Sequence, residues 1–157
     1  MTWNIRTASD QDITFLREMI WEALLASPAF LGEIGVDALR RQEDAYWAAW
    51  PVKRDPAFIA VDGAEDARGA IVLKPESSEN VRGWRLGLGV RAVARRAGAG
   101  LELVKHAIEF ARGNGATYVS LLVDPANLGA IALYERTGFD RVASSSSTAL
   151  RMRLTLR

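Results

Sequence analysis

Leu88 to Gly100 reads LGVRAVARRAGAG and runs directly into LELVKHAIEFARGNG at Leu101 to Gly115. An apolar strand, a basic glycine-bearing turn and a helix start therefore follow one another. Backbone N–H groups at such a helix start have no intrahelical acceptor and lie at the positive end of the helix dipole. With Arg95 and Arg96 beside them, they make a seat for a phosphorylated ligand. Gly98 and Gly100 lack a Cβ, so a ligand can approach the main chain there and φ can be positive. The turn is the expected seat of function.

The rest of the chain is consistent with one ordinary globular domain spanning 1–157. At 157 residues, 49% of them apolar and 25% charged, it is long enough to bury a sizeable core. Its 20 basic and 19 acidic residues leave a formal charge of +1, so nothing global points to nucleic acid or an anionic membrane. Any anion site must be local. The absence of cysteine removes disulfides, thiolate metal sites and a cysteine nucleophile, and suits a cytoplasmic setting. The start MTWNIRTASD has neither a basic n-region nor an apolar h-region, and no run approaches the roughly 18 apolar residues of a membrane span. His106 shares the polar side of its helix with Glu102, Lys105 and Glu109 and has no second histidine to join it, so no histidine-based metal site is expected. The Ser144 to Ser147 tract reads as a polar turn.

Hydrophobic periodicity supplies the elements in order. Trp3 to Thr7 alternates as a half-buried strand. Ser9, with Asp12 as capping partner, starts a helix through Ile13, Leu16, Ile20, Ala23 and Leu24 that ends near Ser27-Pro28. A second helix is expected over Val36 to Trp50, closed by Pro51. Strands at Ala57 to Val61 and Ala70 to Leu73 are joined through DGAEDARG, and a polar loop from Pro75 to Arg82 leads to a strand at Trp84 to Val90. The next helix, Gly98 to Arg112, buries the stripe Leu101, Val104, Ile108 and Ala111 and stops at Gly113-Asn114-Gly115. Thr117 to Val123 is apolar enough to be covered on both faces. Asp124-Pro125-Ala126-Asn127 opens a last helix that stops at Thr137-Gly138, before strands at Phe139 to Ala143 and Thr148 to Leu156. The order predicts an α/β (α+β) chain with a mixed sheet and helices on both faces.

From Leu88 to Phe139 the chain resembles the GNAT superfamily of acyl-CoA-dependent N-acetyltransferases. The resemblance rests on Leu88-Gly89-Val90, on R-x-x-G-x-G at Arg95 to Gly100, on VDPANLGAIALYERTGF at Val123 to Phe139, and on their order. It implies the GNAT-like fold, a central mixed sheet of about seven strands flanked by about four helices. It also implies acetyl transfer from acetyl-CoA, as co-substrate and without a metal, to a primary amine by direct attack. The acceptor would be a small molecule or a peptide amino group, with no nucleic acid or membrane partner and a homodimer left open.

The resemblance places coenzyme A residue by residue. The pyrophosphate would rest on backbone N–H groups from Arg96, Ala97, Gly98, Ala99, Gly100 and Leu101, with charge from Arg95 and Arg96. The pantetheine arm would follow Leu88, Gly89 and Val90 where the fourth strand leaves the fifth. A bulge at Gly87 and Gly89 would free those main-chain groups. The Val90 N–H would face the acyl carbonyl. Asn127 would bond the arm and Tyr134 would act as general acid toward the leaving thiolate. Seven residues apart, these two turn through about 700° and share one helix face about 10 Å apart along its axis. Asn127 also reads as a helix N-cap and Tyr134 as a structural aromatic.

The chain departs from the family at three points. Ala92 and Ala94 stand where proline and an aromatic are common, and Ala97 where a third basic or polar residue is common. Where many relatives carry a basic-catalyst glutamate on the fourth strand, the aligned residue is Trp84. Glu22, Glu43 and Glu79, or a water chain, are the alternatives for the base. Tyr46, Trp47, Trp50 and Trp84 either gather around an amine acceptor or pack the core. A GNAT-like module that senses acyl-CoA without turnover is the alternative function. A dinucleotide-binding fold fits less well, because the turn lacks G-x-G-x-x-G and follows a hairpin.

Overall fold

The computed structural model describes residues 2–78, 80–142 and 148–156, so the Ser144 to Ser147 tract lies outside the described residues. Seven strands form one sheet: β1 (Asn4–Thr7), β2 (Ala57–Val61), β3 (Ala67–Ser78), β4 (Val81–Val90), β5 (Tyr118–Val123), β6 (Asp140–Val142) and β7 (Leu150–Thr155). Their spatial order is β1-β2-β3-β4-β5-β7-β6. The β4–β5 pair is parallel and the other neighbours are antiparallel. The helices are α1 (Ile13–Leu25), α2 (Pro28–Ile34), α3 (Val36–Lys53), α4 (Ala99–Gly113) and α5 (Leu128–Arg136). This is the mixed sheet of seven strands, flanked by helices, expected from the sequence. Among the described residues no helix is long and apolar enough to cross a membrane.

Each sheet face carries its own core, and strand alternation divides the residues between them. Phe58, Ala60, Ile71 and Leu73 meet Leu103, Val104, Ala107 and Ala111 of α4, together with Ile131 and Tyr134 of α5. Ile59, Val61, Ala70 and Val72 meet Leu16, Met19 and Ile20 of α1 and Trp47 and Trp50 of α3. Burial on both faces explains why β2 reads as an unbroken apolar run.

Four local expectations are corrected. Pro28 does not merely stop α1; it starts the short α2 at a position where the lost N–H has no intrahelical acceptor, which makes five α-helices among the described residues rather than about four. Pro51 does not close α3, which continues to Lys53 and ends on Arg54 at φ 52°. Pro51 falls in the last turn, and the helix is held there by burial of Trp47 and Trp50 and by the Trp50 indole N–H on Asp55 O at 2.9 Å. Pro75 to Arg82 is not a loop: β3 and β4 pair from Gly69↔Val90 to Ser78↔Val81. Leu73 N–H bonds Pro56 O at 2.8 Å, and two residues on, the missing N–H of Pro75 faces the same side, beyond the end of β2. Leu101 is half-buried, while Leu103 and Ala107 complete the buried stripe of α4.

The expected bulge at Gly87 and Gly89 is absent, since the β3–β4 register is continuous through both. These glycines admit α1 instead. A Cβ on Gly89 would lie 2.3 Å from Met19 O and 2.7 Å from Met19 C, both backbone atoms of a buried helix. Gly89→Ala should therefore cost about 2–3 kcal/mol through displacement of α1, read as a lower urea midpoint at unchanged m-value. A midpoint equal to wild type would show that α1 moves freely.

Candidate active site

The site begins where β5 parts from β4. The two pair from Gly83↔Tyr118 to Leu86↔Leu121; β4 then continues along β3 to Val90, and β5 follows β7 to Val123. Arg91 N–H bonds Arg68 O on β3, and Arg82 O accepts from Thr117 N–H ahead of β5. By alternation the main-chain groups of Leu88 and Val90 point to the side that β5 has left. Arg95 Nε donates to Val90 O at 3.2 Å, which engages the carbonyl and leaves the N–H toward the wedge.

The turn is shaped by two positive φ angles, Arg96 at 64° and Gly98 at 93°. Gly98 is the N-cap of α4, and the first helical bond runs from Glu102 N–H to Gly98 O at 3.0 Å. The N–H groups of Ala99, Gly100 and Leu101 are therefore left without an intrahelical acceptor. Trp3 anchors the turn from the N-terminus, its indole N–H donating to Ala97 O at 2.9 Å. Arg95 and Arg96 are exposed beside it. Gly100 touches the wedge, since a Cβ there would lie 3.4 Å from Leu133 and 3.7 Å from Leu88.

A cavity of about 360 Å³ fills the wedge. Leu86, Gly87 and Leu88 of β4 line it, with Leu122, Val123 and Asp124 at the end of β5 and Asn127, Ala130 and Tyr134 of α5. Lys74, Arg85 and Glu43 reach it from the α3 face of the sheet, with Ile20 and Leu24 of α1 and Phe30 of α2. Tyr134 belongs to the core on the α4 face. The cavity thus joins the two faces through the gap between β4 and β5. Of the residues expected to hold coenzyme A, Leu88, Asn127 and Tyr134 line it, Gly89 and Val90 do not, and the turn from Arg95 to Leu101 borders it.

Asn127 caps α5, its Oδ1 accepting from Ala130 N–H at 3.1 Å. The side-chain amide is left to donate into the cavity. Asp124, buried, is committed to structure: its carboxylate accepts from Ala126 N–H at 2.9 Å and Ala29 N–H at 3.2 Å, tying α2 to the end of β5. Tyr134 is 8% exposed and packs edge-on against Phe139 at 5.9 Å. Its hydroxyl makes no hydrogen bond to another described residue. Burial pushes the phenol up to about 12, so the proton is held throughout the physiological range.

Among the acidic candidates, Glu43 is the one the fold brings to the cavity. It is buried, with Trp47 Nε1–H at 3.4 Å from Oε1 and Lys74 Nζ at 4.0 Å from Oε2. Glu22 is exposed and outside the lining, and Glu79 lies outside the described residues. Trp84 faces α4, 6.2 Å from Phe110, with a buried Nε1 that has no hydrogen-bond partner among the described residues. On β4 it is Arg85, one residue on, that faces the cavity. Trp47 and Trp50 are core residues, 2% and 1% exposed, and Tyr46 donates to Asp55 at 2.6 Å, so no aromatic acceptor box forms. Lys74 and Arg85 were not singled out in the sequence. Burial lowers the Lys74 pKa, Glu43 opposes that shift, and the nearby Arg85 adds to it.

Residues 16–139 match the acetyltransferase (GNAT) family, and the chain belongs to it. The fold is shared with the ribosomal-protein-alanine N-acetyltransferase of Brucella melitensis: 22% identity, 98% of this chain and 99% of the other covered, TM-score 0.75. It is shared also with a GNAT superfamily phosphinothricin acetyltransferase from Sinorhizobium meliloti in complex with acetyl-CoA: 17% identity, 99% and 89% covered, TM-score 0.78. No curated protein sequence matches the chain significantly.

The raised Tyr134 pKa has a stability consequence. Because the folded value exceeds the ordinary value of 10.0, the contribution is complete below pH 10 and is lost as pH rises through about 12. Between pH 9 and 11, Tyr134→Phe should lose about 1 kcal/mol less stability than wild type in urea titrations. Equal losses would place the phenol in water.

Proposed function

We propose that the protein is an N-acetyltransferase that moves an acetyl group from acetyl-CoA to a primary amine by direct attack. The observation that carries this reading is the coincidence, where the central strands β4 and β5 part, of unpaired helix N–H groups, strand groups abandoned by β5, and a protonated tyrosine lining the gap. The donor set fits a diphosphate joined to an extended amide-bearing arm: N–H groups and guanidinium charge at the turn, then main-chain groups along a strand. The Sinorhizobium relative, solved with acetyl-CoA, supports the same use of the fold.

Each residue then has a task. Ala99, Gly100 and Leu101 N–H groups hold the phosphates, and Arg95 and Arg96 add charge. Leu88 and Val90 align the arm, with Asn127 donating to it from the opposite wall. Acetyl-CoA supplies an activated acyl group and a thiolate leaving group. The Val90 N–H points into the wedge, where it can stabilise negative charge on the acyl oxygen. Glu43 accepts the proton from the amine, in place of a carboxylate on β4, and Tyr134 keeps a proton available for the departing sulfur.

Two measurements test these assignments. Arg96→Glu should weaken acetyl-CoA binding at least tenfold, about 1.4 kcal/mol, in calorimetry at low salt, with the difference shrinking as salt rises. Unchanged affinity would move the phosphates away from the turn. In a thiol-release assay across a panel of amines, Tyr134→Phe and Glu43→Gln should each reduce kcat by roughly 10²-fold or more while acetyl-CoA affinity changes less than threefold. Wild-type protein that binds acetyl-CoA tightly and acetylates no amine would favour the sensor reading, which draws support from the arginine at the cavity-facing position of β4.

A further inference from the structure

One row of side chains crosses the α3 face of the sheet at right angles to the strands. The register aligns Lys74 with Arg85, Arg85 with Ser120 and Ser120 with Arg153, on four neighbouring strands about 4.8 Å apart. Three of the four are cations. Lys74 and Arg85 are direct cross-strand neighbours, an arrangement that like charge disfavours, and both line the cavity. Arg153 lies over the Tyr118 ring at 4.1 Å. Glu76, the nearest acidic residue on β3, is engaged by Arg151 at 2.9 Å, Ser120 at 2.7 Å and Tyr118 at 3.1 Å. Arg85 has no hydrogen bond or ion pair with another described residue.

Resting on the acetyl-transfer reading, we infer that the acceptor amine carries a carboxylate within a few bonds of its amino group, and that Arg85, with Lys74 beside it, binds that carboxylate at the cavity mouth. An anion there removes the like-charge repulsion between Lys74 and Arg85, and the planar fork of an arginine suits a carboxylate in two-point contact. The short reach follows from Glu43, whose Oε2 is 4.0 Å from Lys74 Nζ, so the groups that would hold an amine and an acid are adjacent.

The test compares free amino acids, the corresponding amino acid amides, and peptides that begin with the same residue and contain no other acid, all assayed for thiol release at saturating acetyl-CoA. The amide keeps the side chain and the amine while removing the charge; the peptide moves the carboxylate out of reach. Wild type should favour the best amino acid over its amide and its peptide by at least tenfold in kcat/KM. Arg85→Gln should bring those ratios below threefold, mainly through the acceptor KM, with the KM for acetyl-CoA unchanged. Equal use of acid and amide overturns the inference while leaving acetyl transfer intact. So does an undiminished preference in a folded Arg85→Gln protein. No turnover of any amine overturns it together with the acetyl-transfer reading, and calorimetry with acetyl-CoA then separates a non-catalytic binder from a protein that binds none.

Discussion

Parallel pairing of β4 with β5 is the constraint from which the site follows. Two parallel neighbours cannot be joined by a hairpin, so the chain leaves the end of β4, crosses over through α4 and re-enters at the far end of β5. The crossover sets the N-terminus of α4, with its unacceptored N–H groups, at the gap where β5 has already left Leu88 and Val90. Donors for phosphate and donors for an extended chain therefore lie at one gap in the sheet as a consequence of topology. Gly89 extends the same logic to the other side, because only a residue without a side chain lets Met19 and the rest of α1 lie against the strand that borders the gap.

Helix α5 closes the wedge and sets the polarity of its wall. Its N-cap Asn127 and its buried Tyr134 both face the cavity, and Asp124 fixes the loop between β5 and α5 by accepting from Ala126 and Ala29. The same carboxylate holds α2, so an acidic residue that resembles a catalyst by location is occupied in joining two elements. Glu43 differs: its contacts, an indole N–H at 3.4 Å and an ammonium at 4.0 Å, are long, and its carboxylate belongs to the cavity wall rather than to a joint between elements.

Much of this was legible where the signal is local. The Ser9–Asp12 pairing is present, with Asp12 Oδ2 accepting from Ser9 N–H at 2.8 Å; the Asn127 cap, the glycine turn and the apolar runs of β2 and β5 likewise depend on residues close in sequence. The three misread prolines depend on distant context. Pro28 and Pro75 each lack an N–H that the surrounding fold does not require, and Pro51 is carried through the last turn of α3 by the burial of Trp47 and Trp50, so all three sit in elements that proline normally ends. Lys74, Arg85 and Glu43 meet from β3, β4 and α3, and no periodicity in one segment announces their meeting. In a strand one residue changes the face: Trp84, aligned with the family's base, belongs to the α4 core, and Arg85 beside it lines the cavity.

That change of face separates two kinds of chemistry. The sheet is a wall that is buried against α4 on one side and against α1 and α3 on the other, and a small molecule can meet groups from both sides only where two strands part. Tyr134 and Leu88 reach the gap from the α4 side, and Lys74, Arg85 and Glu43 from the α3 side. A donor held along β4 and an acceptor held on the α3 face would meet in the gap with the tyrosine hydroxyl on one flank and the carboxylate on the other. Proton acceptance from the amine and proton donation to the sulfur are then assigned to groups on opposite walls, so neither has to change its protonation role within a single transfer.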